Sequence, residues 1–417
     1  MSSCLTWLPA DLLHLLEDFL TTKDFLSLLH TNQKLRQEYH HRLLPLDRKH
    51  SRLYAEDEEF RVRVQSVIGD PCKHLALSMG HTHRQVLQCK SFRNSNPDDR
   101  ICCDMSKVDM NAIKDVRTLN MSRCCGVTDV SAFGGVHCLN LYSCVNVSDV
   151  SSLGRIHKLD LSHCNMSDVS ALGGVHTLIM VSCKNLSDVS ALGAVNTLVL
   201  ASNPRISDVS ALRYVHNLNL STCPNITDVS ALGRVHTLNL SGCRNISDVS
   251  ALGGVHTLNL SGCKNVSDVS ALGAVHTLDL SSCLSVSNVS DLGRLHTLNL
   301  SKCHMSDISA LGSVHTLNIS QCYYVSDFSA LGGAYDLNLY DCQISDVSAL
   351  GSVHTLNLRS CRNVSDVSSL KNVHTLNLSY CQKVLDVSDL GNVHNLNLAG
   401  CLISDVSSLG RVHTLNL

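Results

Sequence analysis

From about Asp109 to Leu417 the chain repeats one phrase of apolar and polar residues. Its period is 19 or 20, as from Cys303 to Cys322 and from Cys243 to Cys263. In Val255-His256-Thr257-Leu258-Asn259-Leu260-Ser261-Gly262-Cys263, Leu258 and Leu260 alternate with polar neighbours. That is the period of a strand buried on one face. Cys263 turns the chain and Val266 supplies a third inward anchor. Asp268 precedes Val-Ser-Ala-Leu, which is too short for a useful α-helix, so the pattern predicts one 3₁₀ or helical turn capped by the aspartate. Gly273 is expected to supply the backbone freedom that leads into the next strand. A unit this short cannot bury its apolar face alone and must stack on its neighbours, which predicts a solenoid.

Two further rows follow from the period. Cysteines recur at Cys124, Cys144, Cys164, Cys183, Cys223, Cys243, Cys263, Cys283, Cys303, Cys322, Cys342, Cys361, Cys381 and Cys401, and Asn203 stands where one more would fall. A small, weakly hydrogen-bonding thiol suits a buried apolar layer. A parallel row does not converge as tetrahedral metal ligands must, so no metal and no cofactor is expected. Histidines recur at His137, His157, His176, His216, His236, His256, His276, His296, His315, His354, His374, His394 and His413. Imidazoles stacked about 5 Å apart would repel on protonation near pH 6.

Val255, Leu258, Leu260, Cys263 and Val266 fill the places of the pattern L-x-x-L-x-L-x-x-N/C-x-L, so the array resembles leucine-rich repeats. The D-V-S-x-L half resembles the short-repeat class of internalins, although two residues shorter per turn. The resemblance implies an α/β repeat solenoid, a leucine-rich-repeat horseshoe with a parallel concave sheet. About fifteen repeats would occupy residues 101–417.

The amino-terminal residues read differently. Leu8-Pro9-Ala10-Asp11-Leu12-Leu13 and on through Leu16, Phe19 and Leu20 place leucine at helical spacing after a proline suited to a first turn. Asp24 can cap a second helix through Phe25, Leu26 and Leu28, and a third stretch includes Leu35 and Arg36. These residues resemble an F-box over residues 1–45, although Thr31-Asn32-Gln33-Lys34-Leu35-Arg36 departs from the family's third helix. The resemblance implies that Leu8, Pro9, Leu12, Leu13, Leu16, Leu20, Leu26 and Leu28 dock on the adaptor subunit of a cullin–RING ubiquitin ligase. Residues 46–100 are expected to be a linker and capping region, with Glu56-Asp57-Glu58-Glu59 a solvated helix face. Within it, His74-Leu75-Ala76-Leu77-Ser78 and Val86-Leu87-Gln88-Cys89 read as degenerate strands.

Composition narrows the function. Aromatics are 4% and tryptophan is single, so the core is aliphatic. A net charge of −3 without a basic stripe argues against nucleic acid. No signal peptide and no run of about 18 apolar residues is present, so no membrane partner is expected. The sequons of the array, such as Asn239-Leu240-Ser241 and Asn259-Leu260-Ser261, are too close-packed to carry glycans. With the regular thiols, this points to a cytoplasmic protein, the nucleus remaining open. No nucleotide-binding or hydrolase motif occurs, so an enzyme is not expected.

Outward residues on the sheet are mostly Thr, Asn and Ser, so departures mark candidate partner contacts. Ile179, Val181, Val199 and Ala201 are expected to form one exposed apolar patch. Asp336, Tyr340, Asp341 and Arg359 form a second group, rich in residue types favoured at hot spots. The favoured expectation is a substrate-recognition subunit holding an unknown protein for ubiquitination. The rival is a stand-alone scaffold, and a more remote reading is a binder of ice or a crystalline polymer through the Thr/Asn lattice. The chain stops in mid-repeat at Leu415-Asn416-Leu417, for which a truncated reading frame is the favoured expectation and end-to-end self-association through the open layer the alternative.

Overall fold

The computed structural model describes residues 44–46, 48–68, 75–79 and 113–417. The F-box-like residues Leu8 to Leu28 and the expected strand Val86–Cys89 lie outside the described residues. The chain divides into two compact units, one ending at Val199 and one beginning at Leu200.

In the first unit, β1 (Leu44–Leu46) is followed by α1 (Arg48–Glu56), α2 (Glu58–Ile68) and β2 (Leu75–Ser78). β1 pairs parallel with β2, Leu46 beside Leu77, and β2 pairs parallel with β3 (Thr118–Asn120), Leu77 beside Leu119. The first pair is thus an entry layer for the array, with α1 packed against it. Tyr54 of α1 is fully buried and accepts a hydrogen bond from Gln65 Nε2 at 3.0 Å, while Ser51 Oγ donates to the Leu46 carbonyl at 3.0 Å. Residues 56–59 are exposed but are not one helix face. Asp57 breaks the chain between α1 and α2, and its Oδ1 accepts the Phe60 amide at 3.1 Å, capping α2. Strands Cys138–Asn140, Lys158–Asp160, Thr177–Ile179 and Thr197–Val199 continue the parallel ladder in register.

The second unit carries the same ladder from Asn217–Asn219 to Thr414–Asn416. Leu258 lies beside Leu238 on one neighbour and Leu278 on the other, so every period places its leucines in one layer. Val255, Leu258, Leu260, Cys263, Val266, Val269 and Leu272 are all at most 2% exposed. Each repeat therefore closes its interior only by lying on the next. The segment after the aspartate is a 3₁₀ turn, as in Ser250–Gly254 and Ser270–Leu272. The aspartate sits two residues ahead: Asp268 Oδ1 accepts the Ser270 amide at 3.0 Å, an Asx-turn that aims the chain into the 3₁₀ segment. Those hydrogen bonds hold the exposed Asp268 and Asp248 carboxyls below the usual carboxylate range.

The glycine's role differs from the expectation. Gly273 has right-handed φ/ψ of −64° and −9°, so no special conformation is used. It is there because repeats approach closely: a Cβ on Gly273 would stand 2.5 Å from the Asp291 carbonyl oxygen, and one on Gly233 would stand 2.2 Å from that of Ala251. The left-handed position lies instead just before the cysteine, where Gly262 (φ 71°), Ser282 (φ 61°) and Tyr380 (φ 63°) share one backbone geometry.

The thiols are more than filler. Cys263 Sγ donates to the Leu240 carbonyl at 3.2 Å and Cys243 Sγ to the Leu220 carbonyl at 3.1 Å, each reaching into the preceding repeat. Asn203 is fully buried at the same place, and its Nδ2 donates to Leu200 O at 2.8 Å. Burial raises the thiols, Cys263 to about 12 and Cys243 to about 11, so they stay protonated and donate.

Candidate functional site

The surface of each unit is a set of parallel rows, because each sequence position recurs once per strand. Beside the sheet lies the histidine row. In the first unit His137 and His157 stack with centroids 4.6 Å apart, and His157 and His176 follow at 4.5 Å. In the second unit the stack runs from His216 through His236, His256, His276 and His296 to His315, every step between 4.6 and 4.8 Å. Tyr335 then takes one place, stacked on His315 at 4.8 Å and on His354 at 4.4 Å. Nδ1 of His256 lies 3.3 Å from the Thr257 hydroxyl oxygen, a pairing repeated at His276 and His374. Among the described residues no group of three or more His, Cys, Asp or Glu side chains is placed to hold a metal ion.

Over most of the sheet the next row is asparagine, and it is structurally committed. Asn239 Oδ1 accepts the Ser241 amide at 2.9 Å and Asn259 Oδ1 accepts the Ser261 amide at 2.9 Å. These side chains turn the chain out of the strand, which explains their recurrence and leaves little for a partner to read.

Between Gln321 and Tyr380 the lattice changes. Tyr340 and Arg359 occupy one row, just after neighbouring strands; Gln321, Asp341, Ser360 and Tyr380 occupy the left-handed row beside it. Asp341 takes hydrogen bonds from Tyr323 Oη at 2.7 Å and Gln321 Nε2 at 3.3 Å. The hydrogen bond to Asp341, then burial, then the Asp341 charge push the Tyr323 phenol up from its ordinary value. The Arg359 guanidinium carbon lies 5.3 Å from the Tyr380 ring centroid and 5.9 Å from that of Tyr340. Tyr323, Tyr380 and Arg359 are exposed. The structure thus brings together three of the four sequence-selected residues. Asp336 stands apart from them, at the start of its strand next to the histidine row.

Tyr323, Gln321 and Tyr380 were not singled out in the sequence. A signal was present: Tyr323, Tyr324, Tyr335, Tyr340 and Tyr380 are five of the nine tyrosines of the chain. A related group in the first unit was also missed. The Arg123 guanidinium lies 5.4 Å from the Tyr142 ring, which meets His163 edge-on at 5.1 Å.

The apolar group needs correction. Ile179 and Val199 are cross-strand neighbours as expected, but they and Val181 are half-buried rather than exposed, as is Ala201 in the second unit. A side chain on a continuous parallel ladder is flanked on both sides by its own row, which covers much of its surface.

Among the described residues no helix is long and apolar enough to cross a membrane. No family profile matches the chain, and no curated protein matches its sequence. Solved structures do resemble it. A TLR13–ssRNA13 complex aligns over 75% of this chain and 55% of its own at 19% identity, with a TM-score of 0.57. An internalin (inlF) of Listeria monocytogenes aligns over 65% and 84% at 21% identity, TM-score 0.48. The functional domain of InlJ of Listeria monocytogenes, described as including a cysteine ladder, aligns over 64% of both chains at 19% identity, TM-score 0.47. The fold is a leucine-rich-repeat array of parallel strands and 3₁₀ turns.

Proposed function

We propose that this chain is a protein-binding module and that it serves as the substrate-recognition subunit of a cullin–RING ubiquitin ligase. The observation that carries the binding reading is the side-chain group at Gln321–Tyr380. It sets exposed tyrosines and an arginine on a lattice otherwise made of Thr, Asn and Ser. A rigid array with such an island is suited to holding one protein in a fixed orientation. Chemistry on the target is then supplied by another subunit, through a raised effective concentration of its lysines. No catalytic residue and no cofactor is assigned.

The ligase half of the proposal rests on the F-box resemblance of Leu8, Pro9, Leu12, Leu13, Leu16, Leu20, Leu26 and Leu28. Residues 1–45 would be the docking segment, 46–100 the cap and 101–417 the recognition array. Co-precipitation of the full chain with the adaptor subunit tests it. Wild type should bring the adaptor down and Leu12→Arg with Leu16→Arg should not. Absence of a complex with the wild type leaves the stand-alone scaffold. A cytoplasmic setting is part of the reading, supported by the protonated, hydrogen-bonded thiols and by sequon asparagines whose side chains are engaged in the turn.

A further inference from the structure

Resting on the protein-binding reading, we propose that Arg359, with Tyr340 and Tyr380, forms a notch that recognises an anionic side chain, carboxylate or phosphate, of a peptide partner.

The Arg359 guanidinium is held between two rings, Tyr340 one repeat before and Tyr380 one repeat after, and has no carboxylate partner among the described residues. The hydrogen bond at this residue through its own amide goes to Asn357 Oδ1 at 3.1 Å. The obvious internal partner is Asp341, whose amide donates to the Arg359 carbonyl at 2.9 Å. Its carboxylate is engaged with Tyr323 and Gln321 of the preceding repeat instead. The asparagines beneath are also satisfied, Asn357 Nδ2 donating to Asn338 Oδ1 at 3.0 Å. The fork of Arg359 N–H donors is the part of this group that remains to be matched, and its geometry suits a carboxylate or a phosphate bidentately.

A second observation is the backbone under Tyr380. A bulky residue at φ 63° is strained, and the same row carries glycine at Gly242, Gly262 and Gly400. The tyrosine is accommodated by Gly400: a Cβ there would meet the Tyr380 ring at 2.8 Å. Twelve residues of this row other than glycine hold the same left-handed φ, so the geometry belongs to the repeat; what is particular to position 380 is the ring, which lies over Gly400 and beside Arg359. A polyanion such as nucleic acid is a poor fit, since a single arginine neutralises one charge.

The test uses the full chain and three sets of synthetic peptides with degenerate flanks and a central glutamate, phosphotyrosine or glutamine. At least one anionic set should bind about tenfold tighter than the glutamine set, as one charge-assisted contact provides. Which set prevails assigns carboxylate or phosphate. Arg359→Ala should erase the preference with an unchanged melting temperature, and Arg359→Lys should keep part of it. Tyr380→Gly, which relieves the left-handed strain, should melt no lower yet weaken the preference. Equal binding of all three sets, no binding of any, or a preference that survives Arg359→Ala overturns the notch. If peptides bind without charge preference, the notch falls while the protein-binding reading stands.

Discussion

His256 and His276 stack with ring centroids 4.7 Å apart and planes within 9° of parallel. Burial, then the neighbouring rings, lower the affinity of His276 for a proton, and burial with Arg117 and His157 does the same for His137. A histidine whose folded pKa is depressed stays neutral in the fold while the unfolded chain takes up protons below its ordinary 6.5. Stability is therefore greatest above pH 6.5 and falls as pH drops below it. The turn aspartates, also depressed, lose their contribution only on approaching 3.8 from above and below it, so they do not mask the effect. Thermal melts should show the midpoint falling from pH 7 to 5.5; a flat profile contradicts this.

Removing a single thiol should loosen one joint between repeats. Cys263→Ala removes the Sγ–H donor to the Leu240 carbonyl, which keeps only the Cys243 amide at 3.0 Å, and should cost about 1 kcal/mol in denaturant unfolding. In the native protein Cys263 should also resist thiol reagents, being fully buried and raised to about 12. Rapid labelling of this residue before unfolding would show that the row is open.

Gly233→Ala tests the close approach of adjacent repeats. The added methyl would meet the Ala251 carbonyl oxygen at 2.2 Å, so backbone must shift, at roughly 1–3 kcal/mol. An unaltered melting midpoint would show that the spacing of the turns is soft.

Ile179 and Val199 provide a second, independent trial of the sheet as a contact surface. Ile179→Asp with Val199→Asp places charge on two half-buried neighbours and should reduce partner capture strongly while circular dichroism retains the native signal. Undiminished capture removes this strand pair from the contact surface.

Most of the fold was legible because one physical constraint repeats. The alternation of Leu258 and Leu260 sets the buried face, the period sets the register, and Asp268 before a four-residue segment sets the 3₁₀ turn. The glycine was misread because Gly273 looks like a turn residue in one repeat, whereas its reason lies 2.5 Å away in the next. The Gln321–Tyr380 group was half legible for the same cause. Tyr340, Asp341 and Arg359 depart from the phrase at sheet positions. Tyr323 reaches Asp341 from a place just after the cysteine, and Tyr380 reaches Arg359 from a turn. Contacts between repeats are invisible to a reading that takes one repeat at a time.

The most direct measurement places a photo-crosslinking amino acid in the full-length protein inside cells, once at Tyr340 and once at Thr257 on the uniform part of the sheet. A discrete protein adduct at position 340 and none at 257 is the predicted outcome. Equal adducts at both positions, or none at 340, would contradict the claim that departures from the lattice are where this array holds its partner.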